Sequence, residues 1–279
     1  MYFQEGEDIK MLTNRINRLN QSGLIISTML SLLATLSAMP IQGAKPEDIT
    51  QLQETRECET CDLSDANLSN ANLAQVILSK ADLQGANLTQ ANLRNANLIS
   101  ANLIETNLTQ ANLREANLTQ AFLSGANLSS ADLRNATLKG ANLAEAILQG
   151  ANMTQSILSL ADFSDANLSQ SILTLAELKG TDLRRANLMG TRLSGANLKT
   201  ANLTAAQMTN AKLNGANLNG AYLRGANLSN AFLQNADLSE ANLRDTNLSG
   251  ADLKNAKLTG AFFCNTTMPD RSVSNRDCQ

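Results

Sequence analysis

At 279 residues the chain is long enough for one large domain or two ordinary ones, and 43% of it is apolar, mostly Leu and Ala. A formal net charge of -3 is too mild to predict nucleic-acid binding or to imitate a phosphate backbone. His and Trp are absent and aromatics make up only 3%, which removes the usual general base and the commonest metal ligand.

Residues 1–44 read as a signal peptide that is cleaved. Lys10, Arg15 and Arg18 precede an apolar, uncharged run over 23–38 that is too short for a comfortable membrane span. Small residues follow, and cleavage falls after Ala38 or Ala44. Glu5, Glu7 and Asp8 are foreign to a signal's basic start, and translation from Met11 would remove them. An uncleaved anchor is the alternative reading. Either way the expected destination is export, with no stable membrane insertion once the signal is gone.

Residues 45–60 read as an N-terminal helical cap, with the helix itself over 45–57. Pro46 suits a first helical position, Glu47 and Asp48 complement the helix dipole, and Ile49 and Leu52 face one way. A stacked solenoid ends in unpaired strand edges, which such a helix would cover.

From Cys61 to Met268 one pattern returns every five residues without a slip. The central position, Leu63, Leu68 and onward, holds only Leu, Met or Phe; the position two before it is nearly always Ala. Five fits neither a helical stripe nor a long alternating strand, but it does fit a very short strand plus a turn. In extended chain the small residue and the Leu both point inward, and the residue between them points out. The next two positions are rich in Ser, Thr, Gln, Gly and Asn, which form turns. The pattern resembles the pentapeptide-repeat family, whose motif is A(D/N)LXX, over the whole of 61–268. That resemblance implies an all-β, right-handed quadrilateral β-helix with four pentapeptides per coil. At ~4.8 Å per coil and about ten coils, the rod would be on the order of 50 Å long.

Sorting the repeats by fours gives four sides. The set beginning 66–70, 86–90 and 106–110 carries no charge as far as residue 250. Its Asn and hydroxyl columns, including Asn87, Thr89, Asn107, Thr109, Asn127, Ser129, Asn167 and Ser169, form the candidate interaction face. It would suit an unidentified protein partner, a glycan, or self-association with a second copy; inheritance by coil duplication explains it equally well. The set beginning 61–65 is acidic in its first half and gains Arg184, Arg185, Arg224 and Arg244 in its second. Asp162 and Asp182, one coil apart, would hold a cation or, more ordinarily, pair with a neighbouring Arg. Arg94, Arg114 and Arg134 stack on a third side, offset by Glu115 and Asp132. Ile157, Leu160, Ile172 and Leu175 make the one grouped set of outward apolar residues.

Register places Cys58 and Cys61 inward where cap meets repeat and Cys264 outward, one past Phe263, while Cys278 is next to last in the tail, 269–279. Pairing Cys58 with Cys61 and Cys264 with Cys278 is favoured, and four cysteines leave two other pairings open. The second bridge would pin the tail, worth about 3 kcal/mol by loop closure. No distinct nucleophile–base pair, metal set or cofactor motif stands out from the ladders. The layout of signal, short helix, CxxCxL, long repeat and Cys-terminated tail resembles exported cyanobacterial members of the family, which implies the periplasm or thylakoid lumen. The reading is therefore a non-enzymatic exported scaffold or protein-interaction rod. The alternatives are a gyrase- or topoisomerase-binding DNA mimic, which mild charge and export oppose, and a glycan- or peptidoglycan-binding rod, which lacks aromatic stacking residues.

Overall fold

The computed structural model describes residues 44–278; the signal reading of 1–44 lies outside the described residues except for Ala44. The chain from Glu57 onward is a parallel β-solenoid. Every bridge pairs a residue with the one twenty positions later, as in Asn67 with Asn87 and Asn87 with Asn107, through to Asn247 with Thr267. Four pentapeptides thus make one circuit, and each set of every fourth repeat stacks into one side. We number the sides by their first repeats: 61–65 first, 66–70 second, 71–75 third and 76–80 fourth.

The motif follows from where its five amides go. For 86–90, the Leu88 N–H donates to Asn107 C=O at 2.7 Å and the Gln90 N–H to Thr109 C=O at 2.9 Å, both one coil up. The Asn87 N–H donates to Ala66 C=O at 2.9 Å, one coil down. Ala91 N–H closes the turn on Leu88 C=O at 3.0 Å. The remaining amide, of Thr89, donates to Asn87 Oδ1 at 3.1 Å. Asn or Asp is therefore the motif's second letter because its short side chain supplies the acceptor that the backbone lacks there.

The Leu and Ala columns fill the interior, with Leu68, Leu88, Leu108, Leu128 and Leu148 each fully buried. Where a hydroxyl replaces Ala it needs a partner. Thr106, Thr191 and Thr246 donate to the carbonyls of Leu83, Leu168 and Leu223 at 2.7, 2.9 and 2.8 Å. Ser171 is buried, and its hydroxyl has none.

Each turn puts its last residue at positive φ, and many of these are not Gly. Thr200 is β-branched at φ 55°, the least comfortable type for that region. Replacing it with Gly is expected to raise stability by about 1 kcal/mol. A higher denaturation midpoint at unchanged m checks this.

α1 is Pro46–Thr55, narrower than the 45–57 expected: Arg56 turns left-handed at φ 59° and its N–H returns to Leu52 C=O. Its Ile49 and Leu52 are buried, as expected. At the far end, β1, Thr266–Thr267, pairs antiparallel with β2, Val273–Ser274. This hairpin was not expected. Disulfides join Cys58 to Cys61, with Cα atoms 5.2 Å apart, and Cys264 to Cys278, 4.8 Å apart.

Side chains stand in for missing strands at both ends. The Asp48 carboxylate accepts the Asp62 N–H at 2.7 Å, and Arg56 donates to Ala74 C=O at 2.7 Å. At the other end Asp277 accepts the Phe263 N–H at 2.8 Å, Asn275 accepts the Asn265 N–H at 2.9 Å, and Arg276 donates to Ala261 C=O. An acid supplies the acceptor and an arginine the donor at each end, which blunts edges open to pairing with another chain.

Candidate functional site

The second side carries the predicted interaction residues in one plane, stacked by the bridges Asn87 to Asn107 to Asn127 and, past Ile147, to Asn167. Much of its hydrogen-bonding capacity is already committed. Asn87, Asn107 and Asn127 each accept both the N–H and the hydroxyl of the residue two on, with hydroxyl distances of 2.6, 2.7 and 2.6 Å from Thr89, Thr109 and Ser129. Asn167 accepts only the Ser169 N–H, at 3.1 Å. The same Asn–hydroxyl clasp recurs on other sides, as at Asn117 with Thr119 and Asn152 with Thr154. The hydroxyl column is thus a turn device rather than a mark of this face; its lack of charge is what sets it apart.

What remains for a ligand is narrower than the sequence suggests. Among the described residues, the Nδ2 groups of Asn107, Asn127 and Asn167 make no hydrogen bond, whereas Asn87 Nδ2 reaches Asn67 Oδ1 at 3.4 Å. Exposed amides at the turns add to these, Gln90 and Gln110 being linked to each other at 2.8 Å. Ile147 and Met189 stand exposed on the same side. Such a surface offers amide donors and hydroxyl lone pairs on a flat plane, a chemistry suited to backbone carbonyls or to another amide-rich surface.

The first side neutralises itself in its middle. Arg184 Nε donates to Asp182 at 2.8 Å, and Arg185 reaches down one coil to Asp165 at 2.6 Å. The Arg185 hydrogen bond holds the Asp165 carboxyl below its ordinary value. For Asp182, partial burial pushes upward, but the bonds from Arg184 outweigh it and the net shift is down. Asp182 is thus engaged by Arg, and among the described residues no group of acids or cysteines is arranged to hold a metal. Arg94 meets Glu115 at 3.3 Å and Arg114 meets it at 3.9 Å, a charge ladder in keeping with the sequence reading.

Among the described residues, two open depressions lie at the two ends. One is lined by Gln51, Glu57, Glu59 and Ile77, the other by Ala261, Phe262, Arg276 and Asp277 among others. Neither gathers a nucleophile and base.

The pentapeptide-repeat profile matches in eight copies, over 61–98, 91–129, 123–159, 161–199, 201–239 and 233–268. The chain belongs to the pentapeptide-repeat family. Its members fold as right-handed β-helices, and no enzymatic family is indicated. It is similar to HetL, a pentapeptide repeat protein involved in heterocyst differentiation regulation from the cyanobacterium Nostoc sp. strain PCC 7120. Identity is 35% and TM-score 0.66, covering 84% of this chain and 100% of HetL. A pentapeptide repeat protein from the Arabidopsis thaliana thylakoid lumen is also 35% identical, over 36% of this chain and 71% of its own, with TM-score 0.29. QnrB1, a plasmid-mediated fluoroquinolone resistance protein, is 19% identical over 72% of this chain and 87% of its own, with TM-score 0.37. No curated protein matches the chain in sequence.

Proposed function

We propose that this pentapeptide-repeat protein is an exported, non-enzymatic rod that binds a protein partner through its second side. The observation that supports this most is the second side itself, uncharged from residue 66 to residue 250 while the other three carry acids and bases. Its free Asn107, Asn127 and Asn167 amides lie along it. In this reading residues 1–44 are removed on export to a periplasm or thylakoid lumen, 45–60 cap the first coil, 61–268 make about ten coils, and 269–279 close the far end. The apolar run over 23–38 and the two disulfides support an oxidising destination. Among the described residues no helix is long and apolar enough to cross a membrane.

The test combines fractionation with capture. The native chain is expected in the exported compartment, shortened at its N-terminus, and retaining a defined partner there. Changing Asn107 and Thr109 to Glu puts two like charges on the bare plane and is expected to weaken capture about tenfold or more. Full-length chain in the cytosol would sink the export reading; undiminished capture by the double variant would remove the second side as the binding face.

A further inference from the structure

The side opposite the uncharged one has its own chemistry. Five lysines stand on the fourth side, Lys80, Lys139, Lys179, Lys199 and Lys257, and none on the first or second. Among the described residues these five make no ion pair. Between Lys139 and Lys179 the coil turns apolar. Ile157 lies mid-face, bridged to Thr137 below and Glu177 above. Leu175 and Leu160 occupy the two corners of that face and are 54% and 65% exposed, beside Ile157 at 43%. Glu177 is the carboxylate beside these tips and accepts a hydrogen bond from Asn197 at 2.8 Å. Asp237 and Glu240 stand farther along the same side, Asp237 bridged to Lys257, so on the repeats from residue 76 to residue 260 five lysines face three acids.

The two leucines hold positions where any side chain is costly. Leu160 is at φ 62° and Leu175 at φ 57°, in the turn position that elsewhere holds Gly, polar or charged residues, or Ala205. The next coil leaves room for them: Leu160 lies under Gly180 and Leu175 under Gly195, where an added Cβ would meet their Cδ2 atoms at 3.1 and 2.8 Å. Backbone discomfort, exposure to water and vacated space above all coincide in one coil and a half.

We propose that the fourth side docks the rod peripherally on an anionic lipid surface. The apolar tips enter the headgroup boundary and the lysines meet lipid phosphates, while the uncharged second side faces away, free for a partner. A bilayer fits better than a protein groove-filler. The tips form a line across a flat face, not a concavity, and shape-specific pairing demands pockets around buried anchors. Lysines on flexible stems suit a fluid layer of diffuse negative charge, where a fixed arginine fork has less to grip.

The full chain is incubated with vesicles of phosphatidylcholine mixed with phosphatidylglycerol, and with phosphatidylcholine alone. Lys139, Lys179 and Lys199 are expected to acetylate at least about threefold more slowly with the anionic vesicles only. Leu160→Asn with Leu175→Asn, a pair that left-handed φ tolerates, is expected to lower flotation with those vesicles by about tenfold. Both chains share residues 1–43, so the difference reads the fourth side. Unchanged labelling rates overturn the proposal, since binding would then run through another segment. Equal flotation of the variant, or equal shielding by soluble polyglutamate, overturns it in favour of simple charge attraction or an acidic protein. The Asn107→Glu and Thr109→Glu chain is expected to float like the wild type, so the two faces are tested separately.

Discussion

Truncating Leu128 to Ala is expected to lower stability by about 2–5 kcal/mol, the range for deleting a buried leucine whose surroundings only partly collapse. Leu128 is fully buried between Leu108 and Leu148, one coil below and one above. Stacked coils hydrogen-bond at every rung, so the backbone cannot close onto the void and the upper half of that range is expected. In a linear stack each coil touches only its neighbours. A weak middle coil is therefore also expected to let the two halves unfold separately, visible as a lowered m in guanidinium. A change under about 1 kcal/mol would mean that the columns do not carry the fold.

The Ala column sets the opposite limit. Ala126 is fully buried where the column otherwise holds Ala or Thr, so Leu there overpacks the coil by about 1–3 kcal/mol or more. Thr is expected to be far milder. In Thr106 the hydroxyl finds the carbonyl of Leu83, twenty-three positions back, and the same step from 126 leads to Leu103, whose carbonyl otherwise accepts only the turn amide of Thr106.

The repeat made the fold legible because inward and outward positions separate in a period of five and the coil closes in twenty. The bridges follow that count from Glu57 to Thr267. The reason for Asn or Asp beside the Leu was not legible, because it depends on an amide whose orphan status appears only once the other four are placed. That hidden bond also thinned the predicted site: Thr89 and Thr109 looked like a free hydroxyl column, and both hydroxyls are spent on Asn87 and Asn107. The ends were harder still. Asp48, Arg56, Arg276 and Asp277 belong to no repeat, and their role as strand substitutes rests on three-dimensional proximity. The leucines at 160 and 175 stood out in sequence as apolar, but not as residues at left-handed corners beneath glycines.

The tail offers the second large effect. Replacing Cys264 and Cys278 with Ser is expected to weaken tail docking by about 3 kcal/mol, from loop closure over a separation of 14 residues. Because the tail touches only the last coil, the loss should be local, with the middle of the rod unaffected. The reporters are the amides that the tail covers. Phe263 N–H lies on Asp277 and Asn265 N–H on Asn275, and their hydrogen exchange is expected to quicken on the order of a hundredfold while that of Leu128 holds. Acid acts on the same end. Arg276, and then the Phe263 amide, hold the Asp277 carboxyl below its ordinary value. Its contribution is therefore full above the unfolded carboxylate range, near ~4, and drains away as pH falls through the lowered folded value. The disulfide keeps the tail in place through that fall, so acid alone should loosen it slightly and acid with reductant should release it. If exchange at Phe263 is the same with and without the bridge at every pH, the tail is held by something other than these two devices.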